Sequence, residues 1–129
     1  MNVALWLKRA ALLHPQAPAL LRGDRVVASY EEFYRRARGL AGAFRSAYGI
    51  GEGDRVAIFM ANATEYLEAM YAVWTAGAAV VPINAKLHPR EAAWIVGNAG
   101  AKLVVSAGKE LDGIRNEPEA AGVPLLDAS

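Results

Sequence analysis

The sequence predicts an α/β fold: a layered, mainly parallel sheet with flanking helices, preceded by an N-terminal β-hairpin. Three observations predict it. From Arg55 onward, short apolar runs alternate with helical stretches of about ten residues, the rhythm of βαβ crossovers and a sheet covered on both faces. Upstream, Ser29-Tyr30-Glu31-Glu32 has the form of a helix capping box and precedes an apolar stripe at helical spacing. Before that, Gly23-Asp24 separates two short apolar runs, as in a tight hairpin.

The elements follow in order. Met1 to His14 is apolar but interrupted by Lys8 and Arg9. With Asn2 placed to cap it, Trp6, Ala10 and Leu13 at helical spacing and Pro15 to end it, the segment predicts an amphipathic helix. Ala19–Arg22 and Arg25–Ala28 form the hairpin arms, with positive φ expected at Gly23. The capping box launches a helix whose inner face is Phe33, Ala37, Leu40, Ala41, Phe44 and Tyr48, stopped by Gly49. Arg55–Met60 predicts a buried strand. A helix follows from about Glu65 to Ala76, capped by Asn62 or Thr64 and ended at Gly77. Ala78–Ile83 predicts a second buried strand, Pro89 opens a helix that stops near Gly100, and Lys102–Ser106 is a third strand. Lys109–Ile114 predicts a short helix and Val123–Leu126 a fourth strand. The helix and hairpin that precede the Arg55 strand are expected to pack against an edge of the sheet. The run 125–129 stops where an α/β chain would turn into its next helix, so residues 1–129 are expected to be a single truncated N-terminal subdomain.

Composition narrows the function. The chain has 129 residues, enough for one domain with a modest core. Fourteen basic and thirteen acidic residues leave a net charge of +1, and no stretch is basic enough to make nucleic acid or an anionic membrane the main partner. There is no cysteine, so a disulfide framework, a thiolate nucleophile and a Cys-ligated metal are excluded. No run reaches the ~18 apolar residues of a membrane-spanning helix, and the charges of the first segment lie inside its apolar run, unlike a secretory signal. The expected location is the cytoplasm.

Catalytic constellations are sparse. His14 and His88 each precede a proline and have no partner at metal-ligand spacing. Neither a nucleophile elbow nor a Walker-type phosphate loop is present. Gly49, Gly51 and Gly53 precede a strand, whereas a dinucleotide loop follows one and opens a helix. Glu65 and Glu68 sit in the first turns of a helix, where the macrodipole favours acids, and Trp74 and Trp94 are expected in the core. Asp54 begins a strand, the wrong end for a phospho-acceptor aspartate.

The segment Gly53 to Asn62 with Thr64-Glu65-Tyr66 resembles the early strand–helix unit of the acyl-adenylate-forming (AMP-binding) enzymes, a superfamily that contains acyl-CoA synthetases, peptide-synthetase adenylation domains and luciferases. Ala76-Gly77-Ala78-Ala79-Val80-Val81-Pro82-Ile83-Asn84 is similar to its Ala-Gly-…-Val-Pro segment, and Ser29-Tyr30-Glu31-Glu32-Phe33 to its early Ser/Thr-Tyr-x-Glu segment. Pro89-Arg90-Glu91, Ala99 to Val104, His14-Pro15 and Pro18-Ala19-Leu20 continue the resemblance in order over almost the whole chain.

The resemblance implies a parent acyl-CoA synthetase that uses ATP, Mg²⁺ and CoA to convert a fatty or other carboxylic acid into its thioester. The phosphate loop, the ribose-binding Asp and the catalytic Lys of such enzymes have no counterpart here, so the chain alone is expected to be inactive, with no catalytic residue and no metal ligand. It also implies that Lys86, in the counterpart of an Asn-Pro-Arg-Leu loop, contacts a CoA phosphate; Ala85 replaces the Pro, and His88 stands where a capping Thr or Ser is common. The alternatives are a fragment of an adenylation domain that loads a carrier protein, or a non-catalytic binding module on the same scaffold. The expected partner is the rest of the parent domain, with self-association through exposed apolar faces as a further expectation; undisguised Leu12, Leu13, Leu125 and Leu126 point to a truncated chain.

Overall fold

A computed structural model describes residues 2–129, so Met1, placed in the first helix above, lies outside them. The architecture grows from one strand, β3 (Arg55–Phe59), whose Val56, Ala57, Ile58 and Phe59 are all buried. A strand apolar on both faces needs cover on both; helices supply it, while two parallel strands flank β3 within the sheet. β4 (Ala79–Ile83) pairs along one side and β5 (Leu103–Ser106) along the other, with Val56 opposite both Val80 and Leu103. β6 (Leu125–Asp127) extends the sheet beyond β5, in the order β4-β3-β5-β6.

Side chains alternate between two cores. Val56, Ile58, Leu103 and Val105 point to one that is closed by Ala41 and Phe44 of α2 (Tyr30–Tyr48) and by Ala69, Ala72 and Val73 of α3 (Thr64–Thr75). Ala57, Phe59 and Val104 point to the other, closed by Ala92, Ala93 and Val96 of α4 (Pro89–Ala99) and by Ile114 of α5 (Gly108–Ile114). A single 3₁₀ turn, Pro118–Ala120, leads towards β6 and adds Ala120 to this second core.

The hairpin forms as expected, with β1 (Pro18–Arg22) antiparallel to β2 (Arg25–Ser29) and Gly23 at φ +64°. Its position does not follow the expectation. It makes its own two-stranded sheet, and Leu20 and Ala28 join Phe33 and Ala37 of α2 and Leu7 of α1 (Ala4–Leu13) in a third apolar cluster. The reason is that α2 has apolar residues for two partners: Phe44 and Ala41 serve the sheet, while Phe33 and Ala37 serve the hairpin.

Other local expectations are corrected in the same way. In α1 the buried residues are Leu7 and Ala11, and Trp6 and Leu13 are exposed. The N-cap position of α1 is Val3, without a side-chain cap, so Asn2 stands one residue too early, although its Oδ1 accepts from the Ala4 N–H at 2.9 Å. No side chain caps α3: its N-cap is Ala63, and Thr64 lies inside the helix. β4, expected to be buried, is an edge strand with Ala79 and Pro82 exposed, which suits proline, since an edge leaves one side of the ladder unpaired.

The Ser29–Glu32 capping box is complete. The Glu32 N–H donates to Ser29 Oγ at 3.2 Å, and the Ser29 N–H to Glu32 Oε1 at 3.5 Å. Gly49 ends α2 at φ +64°. Just beyond, Asp54 Oδ2 accepts from the Gly51 N–H at 2.8 Å and from Lys102 Nζ at 3.3 Å, and these two donors hold its carboxyl below its ordinary pKa. Asp54 is therefore a turn anchor ahead of β3.

Two helical glycines give a test of this packing. A Cβ on Gly97 of α4 would lie 2.9 Å from the Glu119 backbone oxygen, whereas one on Gly39 of α2 would meet nothing within 4 Å. Gly39→Ala should therefore stabilise by about 0.5–1 kcal/mol, the ordinary gain in a helix. Gly97→Ala should lose that gain and destabilise by about 1–3 kcal/mol through overpacking against the 3₁₀ turn. Urea unfolding of both variants measures the difference, and equal gains would contradict the contact.

Candidate functional site

In an open parallel sheet, ligands collect outside the carboxyl ends of the strands, where the strand order reverses. Here the chain runs outward from β3 to β4 and, on the other side, from β5 to β6, so the reversal falls between β3 and β5. That gap is tied by the Ser106 hydroxyl, which donates to the Phe59 carbonyl. The open space lies alongside, a cleft of about 510 Å³ at the ends of β3 and β4. Met60, Asn62 and Tyr66 line one part, Asn84 and Lys86 another, and Lys109 and Glu110 of α5 also reach it.

The loop after β4 presents Lys86, and short-range chemistry holds it. The Asn84 carboxamide oxygen accepts from the Lys86 N–H at 2.9 Å, and the Leu87 N–H donates to the Asn84 carbonyl at 3.1 Å. Leu87 then anchors the loop on the second apolar core. His88 Nδ1 accepts from the Arg90 N–H at 3.1 Å, so the imidazole itself serves as the N-cap of α4, with Pro89 at the first helical position. The unusual residue thus does the work of a capping hydroxyl.

Lys86 is exposed and makes no ion pair among the described residues. Glu110 is 7 % exposed and receives no hydrogen bond among the described residues, although it lines the same cleft. Burial pushes the Tyr66 phenol up at the cleft wall. The cleft therefore offers two ammonium groups, one carboxylate, a phenol and two carboxamides. That donor set can neutralise an anion and hydrogen-bond a polar ligand. No group of three His, Asp or Glu side chains capable of holding a metal occurs among the described residues, and no helix is long and apolar enough to cross a membrane.

The remaining candidates fall elsewhere. Glu68 pairs with Arg36 at 3.1 Å, and Glu65 lies 4.0 Å from Arg22 and accepts from the Thr64 hydroxyl. Both acids are thus engaged in joining α3 to its neighbours. His14 is the exposed C-cap of α1. Trp74 packs edge-on against Tyr71 at 5.1 Å but is only half-buried, and Trp94 is 55 % exposed, so neither is the core residue expected. Of the sequence candidates, only Lys86 reaches the cleft. Lys109 and Glu110 went unnoticed, and their one available signal was their position directly after the end of a parallel strand.

Sheet order and cleft together define the chain as an α/β domain with a ligand-type crevice at its strand ends. It belongs to the AMP-binding enzyme family, whose sequence pattern matches residues 7–128. The chain is 38 % identical over 108 residues to a long-chain-fatty-acid–CoA ligase of Thermus thermophilus, an alignment that takes in 81 % of this chain and 20 % of the relative. It is 36 % identical over 100 residues to a feruloyl-CoA synthase of an Amycolatopsis species, across 78 % of this chain and 20 % of that protein. Among solved structures, a Mycobacterium tuberculosis fatty acyl CoA synthetase superposes with a TM-score of 0.85 at 28 % identity, over 98 % of this chain and 26 % of its own. The chain thus spans about a fifth to a quarter of these relatives, and its fold is that of their N-terminal part.

The cap gives a direct test of the loop. His88→Ala should cost about 1 kcal/mol of stability, while His88→Ser should recover most of it by supplying another acceptor to the helix start. Chemical denaturation of the two variants decides this, and an alanine variant as stable as the parent would show that the imidazole cap carries nothing.

Proposed function

We propose that this chain is the N-terminal part of the catalytic domain of an ATP-dependent acid–CoA ligase, and that it is inactive without the remainder. The observation that carries the reading is the cleft at the ends of β3 and β4, where Lys86 and Lys109 offer positive charge beside carboxamides in a chain of the AMP-binding family. The names of the relatives, a fatty-acid and a feruloyl ligase, support acid activation with CoA as acceptor.

In the whole enzyme the acid's carboxylate oxygen would attack the α-phosphorus of ATP. Pyrophosphate leaves and an acyl-adenylate forms. The CoA thiolate then attacks the acyl carbonyl carbon, and AMP leaves with the electron pair of the broken bond. Such chemistry depends on preorganised charge around the reacting phosphoryl group. The residues described here do not form a Mg²⁺ site, so no step is assigned through the metal on this chain. What the chain contributes is a rigid sheet edge and a loop held by Asn84 and His88. Lys86 on that loop is assigned to a phosphate of CoA, as a flexible point charge.

The test measures acid-dependent pyrophosphate release from ATP and Mg²⁺, with long aliphatic and hydroxycinnamic acids, for this chain and for a longer version of it. The expected result is no release from residues 1–129 and clear release from the longer chain. In the longer chain, Lys86→Ala should raise KM for CoA about fivefold, equivalent to the ~1 kcal/mol of an exposed ionic contact, and leave pyrophosphate release unchanged. Turnover from these 129 residues alone would contradict the reading, and an unchanged KM would remove Lys86 from the CoA site.

A further inference from the structure

The outward side of α1 has the wrong character for a solvated surface. Leu5, Trp6, Leu12 and Leu13 are 52, 60, 72 and 65 % exposed, four of the eight large apolar residues that stand out among the described residues. The helix buries only Leu7 and Ala11. At 100° per residue, the side opposite those two is occupied by Leu5, Leu12, Leu13 and Trp6, with Lys8 and Arg9 as its only charges. α1 contains no acid.

Folding adds cations that are distant in sequence. Arg35 and Arg38 of α2 line a groove with Ala11 and Leu12 of α1, and Tyr34 forms part of its wall. Arg38 lies 5.5 Å above the Tyr34 ring. Lys8, Arg9, Arg35 and Arg38 are all exposed, and none forms an ion pair among the described residues. The one acid in this groove is Glu31, which accepts from Gln16 at 3.1 Å.

We propose that this face docks on an anionic lipid bilayer. Charge decides between possible occupants. Covering the face with an apolar protein surface would bury Lys8 and Arg9 without partners, which is costly. A bilayer accepts both characters at once: leucines and the indole enter the interface, while long cationic side chains reach up to headgroup phosphates. An outward tryptophan suits that boundary, with its apolar ring inside and its N–H wet. The cations are split between α1 and α2, so no single stretch of sequence displays them.

The experiment is cosedimentation of this chain with vesicles of phosphatidylcholine, with and without phosphatidylserine. Binding is expected only with phosphatidylserine, weakened by salt and accompanied by a blue shift of Trp6 emission that Trp6→Phe removes. The double variants Leu12→Gln/Leu13→Gln and Lys8→Glu/Arg9→Glu should each bind at least about tenfold more weakly. Both alter exposed positions, and circular dichroism checks that the fold persists. Absence of binding, equal binding to neutral vesicles, or undiminished binding by both variants would overturn the proposal. A concentration-dependent dimer dispersed by the leucine variant, without vesicle binding, would assign the face to a second copy instead. Vesicle binding by this chain that disappears in a longer version would assign it to the rest of the parent domain.

Discussion

A strand that is apolar on both sides cannot be stable at a surface, and β3 imposes that constraint on the whole chain. Val56 and Ile58 require one apolar layer, and Ala57 and Phe59 require another. Burying each large side chain favours folding by about 1.5–3 kcal/mol, but only when both layers are present. Because the strands run parallel, each return to the sheet must cross over one of its faces. The first crossover places α3 on one face, and the second places α4 on the other.

That same arrangement creates the cleft. Strands that run parallel end together, so the loops after β3, β4 and β5 meet at one end of the sheet. Asn62, Lys86 and Glu110, far apart in sequence, become neighbours there because three strand ends are aligned. The loop after β4 has little freedom: Asn84 folds it back, Leu87 pins it to the core, and His88 fastens its far end to α4. Position comes from the scaffold, and charge from lysines that form no ion pair among the described residues.

Much of the fold was legible in the sequence because its signals are local. The capping box at Ser29, the glycine stops at 49, 77 and 100, and the proline at the start of α4 each act within a few residues, and each element stands where those signals put it. What could not be read was tertiary placement. Helical spacing groups Trp6 with Leu13 as well as Leu7 with Ala11, and only packing on the hairpin selects the second pair. Apolar content likewise cannot distinguish edge strand β4 from central β3, because the difference lies in which neighbours arrive later in the chain. Lys86 was accessible through resemblance to the AMP-binding family. Glu110 was not, since a lone acid near the start of a short helix has an ordinary explanation until the sheet brings a cleft to it.

The dependence of the structure on β3 is open to a direct measurement: native-state hydrogen exchange of the isolated chain, resolved by residue. The strands at the centre of the sheet should open only with the whole molecule. The amides of Val56 to Phe59 and of Val104 and Val105 are expected to exchange last, at the rate set by global unfolding. Those of α1, the hairpin and β6 should exchange sooner. Hairpin or α1 amides that outlast β3 would contradict that dependence, and would place the organising core in the Leu20–Phe33 cluster and not in the parallel sheet.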